Sequence, residues 1–233
     1  MSFRHEQKYL LHQSDYHVLR IRISGLLKKD VHAGERDFYT VRSLYFDDYY
    51  NTAFNDKDAS ILDRQKFRIR IYNYSDEVIH LERKIKHNNY VAKEIAPLSI
   101  NDVKRIENGD YEFLRDSPHP LLRVFYHEIM SNLLRPRIMV DYEREPYMLE
   151  AGTVRITFDH NVRAGIERLD LFCADAAMME TLESGFLVME VKFTEFLPRM
   201  VREMLTVDAA DYSAISKYML GCYPTQFKRQ TDF

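Results

Sequence analysis

Charged and apolar side chains alternate through residues 65–95 with the two-residue period of a β-strand. In the first run, Lys66, Arg68 and Arg70 fall on one face, and a phenylalanine or isoleucine follows each of them on the other face. Polar turns divide the stretch into three such runs. The pattern predicts a three-stranded antiparallel meander with one cationic face.

A cationic face on one sheet is by itself ordinary, because antiparallel sheets commonly bury one face and expose the other to water. The same alternation recurs, however, in predicted strands along the whole chain. The cations on these strands are Lys8, Arg68, Arg70, Lys84, Lys93, Arg144, Arg155 and Lys192, and the carboxylates among them are Glu6, Glu82 and Glu190. The recurrence favours a sheet that turns its charged face toward a shared interior.

Helical segments are predicted near 14–27, 99–109, 121–134, 198–207 and 211–221. Helices that cover the apolar face of a sheet leave the charged face inside, and a closed barrel suits this arrangement because it has no exposed edges. We therefore predict an α+β fold in which helices clad a closed antiparallel β-barrel. The sequence shows no linker or repeat, so residues 1–233 are predicted to form a single domain.

The 33 basic and 36 acidic residues leave a net charge of −3, which argues against general nucleic-acid binding. Cys173 and Cys222 lack CxxC or metal-ligand spacing, which predicts reduced thiols. No apolar run approaches the roughly 20 residues that span a bilayer, and the charged N-terminus is unlike a signal peptide. We predict a cytoplasmic protein without a membrane segment.

Arginine and lysine side chains that converge on one interior repel each other unless a polyanion compensates them. Planar guanidinium groups suit paired contacts with phosphate oxygens. A few carboxylates could hold Mg²⁺ or Mn²⁺, which takes one or two protein carboxylates and completes its shell with water and phosphate. Phosphoryl transfer depends mainly on positioning and charge neutralisation. A tunnel for linear polyphosphate follows as a hypothesis.

An ordered set of short motifs covers nearly the whole chain. They are HEQKY, SLYFD, FRIRIY, HLERK, VAKE, DYERE, VRITFD, LVMEVKF and SAISKY. Together they resemble the VTC domain, the polyphosphate polymerase branch of the triphosphate tunnel metalloenzyme superfamily. The resemblance implies a tunnel of roughly eight antiparallel strands, in which ATP donates its γ-phosphate to a polyphosphate chain with the help of Mn²⁺ or Mg²⁺.

The resemblance also implies roles for individual residues. Arg68, Arg70 and Lys217 would take part in the transfer, and Glu190 with Glu6 would hold the metal ion. The remaining cations would bind phosphate along the tunnel wall, namely Lys8, Lys84, Lys93, Arg144, Arg155 and Lys192.

The triphosphatase members of the superfamily open with Glu-x-Glu-x-Lys, whereas the matching residues here are Arg4, Glu6 and Lys8. A cation in place of one carboxylate favours a chain-holding tunnel over a two-metal hydrolytic site, and Arg4 would add affinity for phosphate. Two alternatives stay open: a metal-dependent tripolyphosphatase or nucleoside triphosphatase, and a non-catalytic polyphosphate-binding module. The sequence lacks the regulatory and membrane domains of the eukaryotic versions, which leaves room for an unidentified membrane or regulatory partner beside ATP and polyphosphate.

Overall fold

The computed structural model describes residues 5–87, 90–165, 170–194, 196–206, 211–212 and 215–223. Its strands are β1 (His5–His12), β2 (Lys28–Lys29), β3 (Tyr39–Asp47), β4 (Arg64–Tyr72), β5 (Ser75–His87), β6 (Tyr90–Leu98), β7 (Arg135–Leu149), β8 (Val154–Gly165), β9 (Met178–Glu180), β10 (Phe186–Phe193) and β11 (Asp211–Tyr212). Its α-helices are α1 (Gln13–Ser24), α2 (Thr52–Asp58), α3 (Ile100–Glu107), α4 (Glu112–Arg115), α5 (Pro120–Asn132), α6 (Arg199–Met204) and α7 (217–223).

The strands form one antiparallel sheet in the order β11-β1-β10-β8-β7-β3-β4-β5-β6, with β2 paired to β7 and β9 paired to β8. The sheet curls so that β1, near one end of this order, contacts β6 at the other end. Within the described residues no backbone ladder joins β1 to β6, so the closed barrel predicted from the sequence is not confirmed. A curled antiparallel sheet with flanking helices is what the structure shows.

The meander predicted from the alternating stretch is confirmed as β4, β5 and β6. Its apolar face is buried by helices on the outside of the sheet, where Phe125 of α5 packs against Phe67 of β4 with ring centroids 5.5 Å apart. The start of α3 is fixed by a capping box, in which the Ser99 hydroxyl accepts from the backbone of Asp102 and the Asp102 carboxylate accepts from the backbone of Ser99. On the far side, α1 and α6 cover β1, β8 and β10.

The C-terminal helix α7 lies on the opposite, inner face of the sheet. Tyr218, Met219 and Cys222 of this helix pack with Ile138 and Val140 of β7 in a third apolar cluster. One end of the curled sheet is therefore filled by apolar packing rather than by charge.

The helix predicted for 211–221 is only partly correct. Asp211 and Tyr212 are extended and pair with Leu10 and Tyr9 on the free edge of β1, and helical structure begins at residue 217. An exposed strand edge offers unpaired N–H and C=O groups, and these groups favour the extended conformation locally. Among the described residues, no helix is long and apolar enough to cross a membrane.

A cationic cavity as candidate active site

The curled sheet encloses a cavity of about 800 Å³ on its charged face. Every described residue that the sequence analysis proposes for catalysis, phosphate binding or metal binding lines this one cavity. They are Glu6, Lys8, Arg68, Arg70, Lys84, Lys93, Arg144, Arg155, Glu190, Lys192 and Lys217. The structure thus brings together side chains from eight elements, namely β1, β4, β5, β6, β7, β8, β10 and α7. Arg4 lies outside the described residues.

Glu82 organises the cations of the meander. Its carboxylate is almost fully buried and accepts from Arg68, with Nη2 2.6 Å and Nε 2.7 Å from Oε2, and from Lys93, with Nζ 3.0 Å from Oε1. Arg70 Nη1 lies 3.6 Å from the same carboxylate. Burial opposes ionisation of Glu82, but these cations outweigh it and hold its pKa well below the usual range. Glu82 therefore holds both arginines in alignment.

A second carboxylate, Asp159 of β8, holds Arg144 and Lys217. Arg144 binds it with both Nε and Nη2, at 2.7 and 2.8 Å, and Lys217 Nζ lies 2.5 Å from Oδ2. Burial raises the pKa of Asp159, yet the two cations bring it down to about 2. Asp159 is an acidic partner that the sequence analysis missed; its place on the same strand face as Arg155 was the available signal.

Glu6 of β1 and Glu190 of the adjacent strand β10 lie among lysine side chains. Glu6 contacts Lys84, with Nζ–Oε1 2.7 Å, and Lys8, with Nζ–Oε1 3.2 Å. Glu190 contacts Lys192 at 3.1 Å and Arg144 Nη2 at 3.5 Å. Burial and the nearby Glu190 oppose ionisation of Glu6, but the surrounding lysines hold the pKa of Glu6 at about 2. Both carboxylates are therefore anionic at neutral pH.

Helix α7 brings Lys217 to the cavity through close packing. The segment before it is tied to β1, because Lys8 Nζ donates to the carbonyl oxygen of Ile215 at 3.2 Å. The Tyr218 hydroxyl donates to Asp47, whose carboxylate also accepts from the first backbone N–H groups of α2. Gly221 permits the contact with β7, since a Cβ there would lie 2.9 Å from Val140 Cγ2.

Hydroxyl groups and a further carboxylate bind the arginines of the cavity wall. Arg70 donates to the hydroxyls of Ser43 at 3.1 Å and Tyr142 at 3.2 Å, and Arg68 donates to the hydroxyl of Tyr45 at 3.0 Å. On another side of the cavity, Arg155 Nη2 lies 2.8 Å from Asp30 Oδ2. These partners do not use all five N–H donors of each guanidinium group.

The end of the cavity formed by the first residues of β4 and the last residues of β5 has a different character. Lys57 of α2, Arg64 and Lys66 of β4, and Lys86 of β5 line it and are half-buried. Within the described part of the chain, none of these four forms an ion pair. We call this group the cationic end of the cavity. The alternation in the sequence placed Lys66 on this face, but Lys66 was not selected as a site residue.

Three side chains of the cavity region, Glu190, Glu6 and Thr157, offer oxygen atoms to a divalent cation. Glu190 and Glu6 are ionised, and the Thr157 hydroxyl, opposite Glu190 on β8, is buried without a hydrogen-bond partner. The described residues contain no cluster of three or more Asp, Glu, His or Cys side chains that could hold a metal by themselves. This set fits an ion that shares its shell with phosphate oxygens, because Mg²⁺ bound with phosphates takes only one or two protein carboxylates.

A match to one family model shows to which family the chain belongs. The model of the VTC domain matches residues 3–224, nearly the whole chain. The chain belongs to the VTC domain family. No curated protein is significantly similar in sequence to this VTC domain.

Solved structures are similar to this VTC domain. One is the Hippeastrum protein HpAC1, named a putative adenylyl cyclase with a dominant triphosphatase activity, at 14% identity and TM-score 0.55, with 96% of each chain covered. Another is a putative adenylate cyclase from Bacillus halodurans, at 15% identity and TM-score 0.49, covering 83% of the VTC domain and 82% of the other chain. At these identities, the likeness of HpAC1 shows the fold of the VTC domain and nothing about its reaction.

Proposed function

We propose that this VTC domain, as a single unit over residues 1–233, is a phosphotransferase that moves the γ-phosphate of ATP onto a polyphosphate chain. The main support is the continuous row of cations along β4 from Arg64 to Arg70 on the cavity wall. At the rise of an antiparallel strand, this row spans roughly 20 Å. A linear polymer of phosphates presents negative charge along such a length.

In this proposal the terminal oxygen of the acceptor chain attacks the γ-phosphorus of ATP. A new P–O bond forms, the bond to the β–γ bridging oxygen breaks, and ADP leaves. Arg68 and Arg70 hold the transferred group, aligned by Glu82. Lys217, held at Asp159, neutralises charge on the reacting phosphates. Such fixed cations act mainly by electrostatic stabilisation of the transition state.

The other wall cations would bind the flanking phosphates: Lys8, Lys84, Lys93, Arg144, Arg155 and Lys192. Glu190 and Glu6 would hold Mg²⁺ or Mn²⁺ together with phosphate oxygens. When bound, the ion supplies charge neutralisation at the phosphates. A cytoplasmic location and an unidentified membrane or regulatory partner stay predictions from the sequence.

Hydrolysis of triphosphate is the second candidate, because the Hippeastrum protein of the same fold is named for a triphosphatase activity. Hydrolysis would use the same cations but would need a water molecule in place of the acceptor phosphate. A binding module without turnover is the third candidate.

The deciding experiment incubates the purified protein with ATP and either Mn²⁺ or Mg²⁺, and measures ADP, polyphosphate and free phosphate. We expect polymer and ADP from the wild-type protein. Arg70→Gln should lower the rate about a hundredfold or more, the loss typical of one transition-state donor. Lys104→Gln on the exposed side of α3 is the matched control and should leave the rate unchanged. Free phosphate without polymer would assign a hydrolase, and absence of both products would leave a binding module.

A further inference from the structure

The register of β4 and β5 places like charges directly opposite each other at the cationic end of the cavity. Arg64 is paired with Lys86 and Lys66 with Lys84, whereas the next pair inward joins Arg68 to Glu82. Like charges opposite each other on neighbouring strands destabilise a sheet, and opposite charges stabilise it. Lys84 is bound to Glu6, so within the described part of the chain the cations of these two pairs that lack an ion-pair partner are Arg64, Lys66 and Lys86.

The surroundings offset this repulsion only in part. Lys66 Nζ lies 4.5 Å from the centroid of the Tyr218 ring, an attractive cation–π contact, but Lys57 of α2 adds a further positive charge. The acidic groups that face this end are Asp47, which favours charged Lys66, Glu6, which favours charged Lys86, and Asp56 and Asp58 of α2, which favour charged Arg64 and Lys57. Asp47 is already bound to the start of α2 and to Tyr218.

The titration of these groups agrees with the geometry. Burial, followed by repulsion from Arg64, lowers the pKa of Lys66 to about 7. The same two causes lower the pKa values of Lys57 and Lys86. A cluster that lacks internal compensation, half-buried and open to a cavity, is typical of a surface shaped for an anionic ligand rather than for stability.

The ligand must be extended as well as anionic. Arg64 lies four residues along β4 from Arg68, roughly 13 Å at the rise of a strand. A single phosphate at Arg68 and Arg70 therefore does not reach it. The polyanion has to continue from Arg68 and Arg70 to the cationic end of the cavity.

We infer that Lys57, Arg64, Lys66 and Lys86 form a subsite for the part of a linear polyphosphate chain that extends beyond the phosphates held at Arg68 and Arg70, and that this subsite gives the domain its preference for long chains. The inference rests on the proposed function in taking polyphosphate as the ligand. It adds which residues make the affinity depend on the length of the polyphosphate chain.

The test measures equilibrium binding of tripolyphosphate and of a long-chain polyphosphate to the full chain, without ATP. The variants are Lys57→Gln with Lys86→Gln, and Arg64→Gln. We expect the ratio of long-chain to tripolyphosphate affinity to fall about tenfold, in line with the loss of charge-assisted hydrogen bonds. The long-chain affinity should also depend less steeply on salt, because fewer ions are released on binding. The control is Lys28→Gln with Lys104→Gln, two exposed lysines outside the cavity.

Thermal unfolding separates this role from a structural one. Removing unpaired like charges should leave the melting temperature of the ligand-free variants equal to or above that of the wild-type protein. An unchanged affinity ratio in variants that fold would overturn the inference even if the wild-type protein makes polymer from ATP. A reduced ratio of long-chain to tripolyphosphate affinity would support the subsite even if no polymer forms from ATP. The subsite and the phosphotransferase activity can therefore fail separately. Failure of the wild-type protein to bind long chains more tightly than tripolyphosphate would also overturn the inference.

Discussion

Glu82 is the side chain on which the arginines of the meander depend. It is 1% exposed and shares its two oxygens among Arg68, Arg70 and Lys93. A buried carboxylate in such a cluster contributes little net stability compared with an apolar core, but its removal leaves cations buried without a partner.

We expect Glu82→Gln to lower the free energy of unfolding by about 3–5 kcal/mol, the usual effect of removing one partner of a buried ion pair. Sulfate or phosphate should restore more stability to this variant than to the wild-type protein, because the anion takes the place of the lost charge. Urea unfolding with and without added sulfate measures both effects. Glu77→Gln, at an exposed position of the same strand, is the control. A variant as stable as the wild-type protein would mean that the cluster does not need this carboxylate.

At the residue scale, the sequence predicted which side chains share the cavity but not how they pair. The two-residue period of a strand assigns Arg68, Lys84 and Glu190 to one face without knowledge of the fold. Pairing depends on register and on contacts between strands far apart in the chain. Asp159 and Lys217, 58 residues apart by number, meet only because α7 returns to the inside of the sheet.

At the scale of elements, α7 completes the wall of the cavity that the curled sheet forms. It contributes Lys217 to the charged wall and Tyr218 to the apolar cluster. The helical pattern in the sequence predicted a helix in this region, but not its later start or its place on the inner face. The inner position depends on the small side chain of Gly221, and one glycine in a helix carries no such signal by itself.

Gly221→Ala tests this packing. The added methyl group would approach Val140 Cγ2 to 2.9 Å, so overpacking should destabilise the protein by about 1–3 kcal/mol. This effect exceeds the gain of about 0.5–1 kcal/mol from alanine in a helix. The displacement of α7 should also weaken tripolyphosphate binding through Lys217. Calorimetric melting and a binding titration check the two expectations.

Gly25→Ala is the matched control for that substitution. Its Cβ would meet its nearest neighbour, Arg22 O, at an ordinary 3.5 Å, and its φ of −73° suits alanine. The control should be neutral or slightly stabilising. Equal melting and equal binding of the two variants would show that the close approach at Gly221 does not position Lys217.

At the scale of the whole molecule, the net charge is −3 although cations dominate the lining of the cavity. Composition alone therefore excluded a nucleic-acid coat protein but gave no measure of the local field. The curled shape of the sheet concentrates side chains of one sign on its inside and leaves the acidic excess elsewhere. Alternation along the strands, rather than composition, carried that information.

This charge distribution predicts an unusual dependence of stability on pH. Glu6 and Asp159 have pKa values of about 2 in the folded state, below their unfolded values, so the stability they provide is present above about pH 5 and is lost as the pH falls toward 2. Lys66 and Lys84 have folded pKa values of about 7 and about 8, below the 10.5 of the unfolded chain. The unfolded state binds more protons above pH 7, so stability should rise further between about pH 7 and pH 9.

Urea unfolding across this range in the absence of phosphate measures the rise. Lys66→Met should flatten it, whereas Lys28→Met, at an exposed position outside the cavity, should not. Saturating tripolyphosphate should also flatten it, because a bound polyanion returns the lysine pKa values toward normal. A wild-type profile that falls between pH 7 and pH 9 would contradict the assigned environment of Lys66.

The position of α7 in the chain has a consequence for how the protein is made. Translation proceeds from the N-terminus, and α7 comes after every strand of the described sheet. The sheet is therefore synthesised before Lys217 and Tyr218 reach Asp159 and Asp47. A nascent chain that has completed β10 carries these two buried carboxylates without their partners from α7. The proposed contribution of Lys217 to phosphate binding is thus acquired only after α7 has been synthesised.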